Sequence, residues 1–174
     1  MKQKAIYAVF AVLAGIAGWF WSAKSEQLAT NPAVAALMSG PWKDTNGATI
    51  TLTDQSKTVL VVNFWATWCP PCIKEMPELS ALATEFSNKK VHFVGIGVDS
   101  ASKIREFAAK TSISYPLIAS GFDGAEVAKN LGNVKGGLPF TVVIDANGNV
   151  IEAIEGIVDI PALRSKLVLI AANK

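Results

Sequence analysis

The 174-residue sequence predicts an α/β sandwich, with a central mixed sheet and helices on both sides. Three observations predict it. The run TVLVVNFWA, Thr58 to Ala66, is apolar without alternation, the pattern of a strand covered on both faces. Strand-like and helix-like segments alternate after it, so the first crossovers are parallel and right-handed. Near the end FTVVID and NVIEAIE flank Asn147-Gly148, a hairpin that adds an antiparallel edge.

The elements follow in order. Met1-Lys2-Gln3-Lys4 precedes an uncharged run from Ala5 to Ala23, closed by Lys24. At about 1.5 Å per helical residue this run approaches the roughly 30 Å of a bilayer's hydrocarbon. A cleaved signal peptide is the competing reading, but it ends in small residues, and here Trp19, Phe20 and Trp21 stand at that end. Such aromatics suit a membrane interface, and Lys2 and Lys4 keep the N-terminus cytoplasmic. Residues 1–24 are therefore expected as an uncleaved signal-anchor, a transmembrane helix that leaves the remainder exported. Residues 25–46 are expected as a linker with a short helix in TNPAVAALMSG, where Asn31 is the N-cap, Pro32 opens the first turn and Gly40 follows the end. The globular domain is expected over 47–174. It starts with a short β element at Ala48 to Thr53, after an Asn-Gly turn.

Beyond the buried strand, Ile73, Met76, Leu79, Leu82 and Phe86 keep one helical stripe toward a core, and Pro77 should kink that helix. A strand at Val91 to Val98, a helix capped by Ser100 or Ser102, an extended piece at Tyr115 to Ile118 and a helix at Gly124 to Leu131 come next. Asp159-Ile160-Pro161 opens a closing helix to about Ala172.

With a formal net charge of +2 and 17% charged residues, the chain has no field that would draw nucleic acid, and no such partner is expected. Its two cysteines lie in NFWATWCPPCIKEMP. Two residues between them close too small a loop to staple a fold. One pair and one histidine, His92 inside an apolar strand, fall short of a four-ligand zinc site, so no metal is expected. Covalent haem needs a histidine directly after the second cysteine, where Ile73 stands. Redox chemistry remains. Cys69 follows a strand and precedes a helix, where unpaired N–H groups and the macrodipole stabilise a thiolate. Pro70 and Pro71 fit the first helical positions because the N–H they lack has no partner there. Cys72, one turn on, is the resolving thiol.

FWATWCPPC resembles the active-site segment of the thioredoxin superfamily, and the likeness extends over about Gly47 to Ala172. Pro77 falls where thioredoxins kink the active-site helix, and GGLPFTVVID resembles the segment bearing their cis-proline, which would be Pro139. The wording NFWATWCPPC, the N-terminal anchor and Glu75 three residues after Cys72 resemble the membrane-anchored TlpA-like thiol-disulfide reductases, including those of cytochrome c maturation. The resemblance implies a thioredoxin-like three-layer α/β/α fold and a protein-disulfide reductase with no cofactor beyond a redox-active Cys69–Cys72 disulfide. It also implies a single-pass protein of a bacterial inner membrane, its catalytic domain in the periplasm or otherwise outside the cytoplasmic membrane. Its partners would be exported disulfide-containing proteins, with apocytochrome c as a candidate, and a membrane electron donor. The buried aspartate of cytoplasmic thioredoxin is replaced by Asn63, which cannot titrate, so Glu75 is expected to handle the proton of Cys72 with a pKa raised by burial. The alternative is a solvated Glu75 favoured by the helix dipole. Trp68, Pro70, Pro71, Leu138 and Pro139 would border the substrate; Trp65 is expected in the core, and Phe140 and Thr141 as strand residues without a separate role.

Rival readings stay open at this level. An oxidant of the same fold reverses the electron flow, and the residues between the cysteines do not fix the sign. A non-catalytic binding module leaves the dithiol idle. A peroxidase usually has threonine three residues before its reactive cysteine, where Ala66 stands.

Overall fold

The computed structural model of the chain describes residues 31–52 and 58–172. The anchor expected over 1–24 lies outside them, as do most of the first residues of the expected linker. Among the described residues no helix is long and apolar enough to cross a membrane. The elements are α1 (Pro32–Ser39), β1 (Val59–Trp65), α2 (Pro70–Phe86), β2 (Val91–Gly97), α3 (Ala101–Ala108), β3 (Leu117–Ala119), α4 (Asp123–Asn130), β4 (Phe140–Ile144), β5 (Val150–Glu155) and α5 (Ile160–Ala172).

Five strands form one sheet in the order β3-β2-β1-β4-β5. β1 pairs in parallel with β2, and β2 with β3, while β4 runs antiparallel to β1 and β5 antiparallel to β4. All seven residues of β1 are buried because it is the central strand. Val59, Val61 and Trp65 pack with Met76, Leu79 and Leu82 of α2 and Leu163 and Leu167 of α5. Leu60, Val62 and Phe64 pack on the other face with Val34 and Leu37 of α1 and Ala128 of α4. This is the three-layer arrangement the sequence predicts, and each large side chain so buried contributes about 1.5–3 kcal/mol.

The caps follow local chemistry. The Asn31 side chain accepts from the N–H of Ala33, and that of Ser100 from Lys103, so Ser100 rather than Ser102 starts α3. Asp159 accepts from Ala162 at the start of α5. In the β4–β5 connection the Asp145 carboxylate gathers the N–H groups of Asn147 and Asn149, and Gly148 takes a positive φ of 81°. The helix α2 runs through Pro77 without interruption.

Two expectations change. The β element at Ala48 to Thr53 is reduced to isolated bridges, Lys43 with Thr49 and Asp44 with Ile118, and Thr53 lies outside the described residues. The Asn46-Gly47 turn is present, but Asp44 binds the N–H groups of Asn46 and Ala48 with its own side chain, which closes the loop after one rung. Within the expected linker, α1 is packed rather than free. Val34 and Leu37 are fully buried, and the Trp42 indole donates to the carbonyl of Leu37 at 2.6 Å.

Gly95 on β2 allows the close approach of its neighbours. A Cβ there would stand 2.8 Å from Leu117 Cδ2 and 3.1 Å from both Trp65 Nε1 and Tyr115 Cε2. Two of these belong to buried rings with little room to yield, so Gly95→Ala is expected to destabilise the fold by about 1–3 kcal/mol through overpacking. Urea unfolding of the two proteins measures it; an unchanged midpoint would show that the rings do give way.

Candidate active site

The carboxyl ends of the parallel strands meet the start of β4 at one end of the sheet, since Phe64 of β1 lies opposite Phe140 of β4. Ligands of open α/β sheets bind outside such strand ends. Here β1 hands the chain to α2 through a turn in which Cys69 N–H donates to Ala66 O at 3.2 Å. Cys69 is the N-cap of α2, and its Sγ accepts from the N–H of Cys72 at 3.3 Å. Pro70 and Pro71 occupy the first helical positions. The two cysteines form a disulfide with a Cα–Cα distance of 5.3 Å. Cys69 is 4% exposed and Cys72 fully buried, so the first is the sulfur nearer solvent.

The Leu138–Pro139 peptide bond is cis. Asn133 donates to Gly137 O at 2.8 Å and fixes the approach to it, while Gly156 N–H donates to Pro139 O at 2.9 Å. Pro139 is buried and Leu138 half-buried. Trp68 projects from the turn, 63% exposed, whereas Trp65 is buried in the core. Pro70 is exposed and Pro71 half-exposed. His92 is half-buried on β2, well away in sequence from the dithiol.

Glu75 is not a solvated residue of the first turn: it is 3% exposed. Three residues beyond Cys72, it lies on the same side of α2. Its Oε1 accepts from Asn63 Nδ2 at 2.8 Å and its Oε2 from Val158 N–H at 3.0 Å. Burial raises its pKa above the usual carboxylate range; the Val158 and Asn63 donors oppose that shift, and the nearby charge of Glu78 adds to it. Tyr115 is also buried, and burial together with the Glu75 charge pushes its hydroxyl well above the usual tyrosine range.

Sequence reasoning noticed Asn63 as a departure but missed it as a partner of Glu75. The second hydrogen of its amide bonds Thr141 Oγ1 at 3.0 Å, so Thr141 has a part after all. A signal existed: Asn63 and Thr141 are polar residues in apolar strand runs, and buried polar groups need partners. Nothing local in the sequence marks Val158, which is 83 residues from Glu75. Among the described residues Asn63 Oδ1 meets no hydrogen-bond partner. As arranged, the amide donates to the Glu75 carboxylate and to Thr141 with its two hydrogens.

The Redoxin family profile matches residues 29–167. Over 114 residues the chain is 32% identical to the thiol-disulfide oxidoreductase ResA of Bacillus thuringiensis subsp. konkukian, covering 65% of this chain and 64% of that protein. The chain thus spans just under two thirds of the length of the curated relatives it matches. Among solved structures, a thioredoxin-related protein from Neisseria meningitidis serogroup B is 34% identical with a TM-score of 0.66, over 76% of this chain and 99% of that one. MTB DsbF, in mixed oxidized and reduced forms, is 26% identical with a TM-score of 0.66, over 78% and 97%. The fold is thioredoxin-like, and the likeness to thiol-disulfide oxidoreductases read from the motif extends across the domain.

A carboxyl whose pKa is raised on folding binds its proton more tightly in the folded than in the unfolded chain. The charged form therefore weighs against folding above the folded pKa, and stability is regained as pH falls from there toward the ordinary value of 4.5. Glu75→Gln is expected to lack this regain. In urea titrations of the oxidised proteins, the difference between variant and wild type should change across that window; parallel curves would mean that burial does not burden the carboxylate.

Proposed function

Because the chain belongs to the Redoxin family, we propose that it is a thiol-disulfide oxidoreductase that reduces disulfides in exported proteins. The observation that carries this reading is the Cys69 sulfur at the start of α2, held by the Cys72 N–H, with a buried carboxyl one turn beyond. This arrangement lowers the cost of a thiolate at Cys69 and supplies a proton acceptor on the side of Cys72.

In the reaction, the Cys69 thiolate attacks one sulfur of the substrate disulfide, and the other sulfur leaves as a thiolate. Cys72, giving its proton to Glu75, then attacks Cys69 in the mixed disulfide. The substrate's second sulfur departs, Cys69 and Cys72 are joined, and two electrons have passed from the dithiol to the substrate. The electrons travel through the cysteines alone, so no bound cofactor is required. Trp68, Pro70, Pro71, Leu138 and Pro139 border the groove, where an extended peptide can pair with backbone beside the cis bond. Glu75 receives the proton in place of the aspartate of thioredoxin, held there by Asn63 and the Val158 N–H.

The apolar run and its flanking lysines support an anchor over 1–24 in a bacterial inner membrane, which would put the domain outside the cytoplasmic membrane and call for a membrane donor to restore the dithiol. The expected anchor and the glutamate after Cys72, both shared with the TlpA-like reductases that the motif resembles, favour reduction over insertion of disulfides, with apocytochrome c as one candidate substrate. Two measurements test the reading. The reduction potential of the Cys69/Cys72 couple in redox buffers is expected near −270 mV, in the region of thioredoxin; a value near −120 mV would make the protein an oxidant. Cys72→Ser is expected to accumulate mixed disulfides through Cys69 with exported proteins, and an empty trap would remove the proposed order of attack.

A further inference from the structure

The turn that carries Cys69 from β1 to α2 is short, and its side chains contribute unequally to holding it. Ala66 is buried, but Trp68 points outward and gives the turn little packing. Thr67 faces the other way, toward the end of β2. Its hydroxyl donates to Asp99 Oδ2, in a contact that spans 32 residues of sequence. The other oxygen of that carboxylate accepts from Ser100 N–H at 2.7 Å, and Lys103 Nζ lies 3.9 Å from it. The Asp99 side chain is only 6% exposed. Its backbone is fixed too: Val98 N–H donates to Trp65 O at 2.8 Å, and Gly121 N–H to Asp99 O at 3.3 Å. Asp99 is thus anchored on β2 and on the β3–α4 connection, and through Thr67 it reaches the turn two residues before Cys69.

We propose that Asp99 is a positioning residue for the nucleophile: through Thr67 it holds the turn that sets Cys69 at the N-cap of α2. Two features single out this side chain. A carboxylate can accept on both oxygens, as Thr67 and Ser100 require, whereas an amide presents one acceptor and one donor. Asp99 is also charged under ordinary conditions, because although burial opposes ionisation, the Thr67 hydroxyl, the Ser100 N–H and Lys103 outweigh it and hold the pKa below the usual range. Cys69 depends on that setting, since its sulfur meets the Cys72 N–H only while the turn keeps it over the helix end. Releasing Thr67 frees the turn to move that sulfur off the donor, and the thiolate then loses its stabilisation.

The proposal rests on Cys69 being the nucleophile of the reading above. Its readout is the ionisation of that thiol, which reports equally whichever way electrons flow and even if no protein disulfide is turned over. The test uses the reduced full-length chain and the pH dependence of Cys69 alkylation by iodoacetamide. Thr67→Val, nearly the same shape without the hydroxyl, is expected to raise the Cys69 thiol pKa by about half a unit or more toward the free value of roughly 8.5, and Thr67→Ser to restore it. In an Asp99→Ala background the Thr67→Val change is expected to add nothing further. A merely structural role would lower the melting temperature of Thr67→Val and leave the thiol pKa where it was, which would overturn the proposal, as would an effect that persists without Asp99. Should Asp99→Ala not fold, the Thr67→Val and Thr67→Ser pair decides alone.

Discussion

A carboxylate buried between a sheet and a helix has to be met by donors, and the two that meet Glu75 come from distant parts of the chain. Asn63 stands on the central strand and Val158 after the last one, so the Glu75 side chain ties α2 to β1 and to the loop beyond β5. Asn63 carries the tie on to Thr141 of β4. The same loop reaches the cis-proline, because Gly156 donates to Pro139. The dithiol helix, the proline and the middle of the sheet are thereby fixed against one another by a few hydrogen bonds around one ionisable group. A group in that position is poorly placed for stability and well placed for proton transfer, since burial brings its pKa toward those of thiols.

The start of α2 is built on a complementary principle. Helix beginnings leave N–H groups without partners, and the chain uses prolines where such groups would be wasted and a cysteine where one of them can hold a negative sulfur. Pro77 lies further along, where its missing N–H leaves the carbonyl of Ile73 without its usual helical donor. The helix continues through it because Met76, Leu79 and Leu82 are pinned to the sheet. Packing of one face outweighs the local cost.

Much of this was legible in the sequence, for reasons that differ by element. The apolar run of β1, the Asn31 and Asp159 caps and the terminal hairpin are dictated by neighbours in the chain and were readable locally, whereas the choice between Ser100 and Ser102 as a cap was made by the structure. The dithiol at a strand-to-helix junction was readable in the same way, and the resemblance to thioredoxins located the cis-proline. The cradle of Glu75 was not, because Val158 donates with its backbone and leaves no mark on residue type. Thr67 and Asp99 are likewise ordinary polar residues until the fold sets the end of β2 beside the turn. The packing of α1 escaped because its apolar residues run all round a short helix and mark no single face, and only the complementary surface of α4 and β1 makes Val34 and Leu37 a core. The expected strand at Ala48 to Thr53 failed where the Asp44 side chain competed with a ladder for the same N–H groups.

The sheet has two outer strands, one very short and the other charged. β3 is three residues long, and part of its edge is taken by the bridge from Asp44 and by Ala119 N–H donating to Lys43 O. β5 carries Glu152 and Glu155, each paired with a lysine, at Lys166 and Lys135. Short or charged edges resist joining the strands of another molecule. Such edges bear on strand pairing with other molecules. A second copy that tried to lengthen the sheet would meet three residues at one side and two ion-paired glutamates at the other.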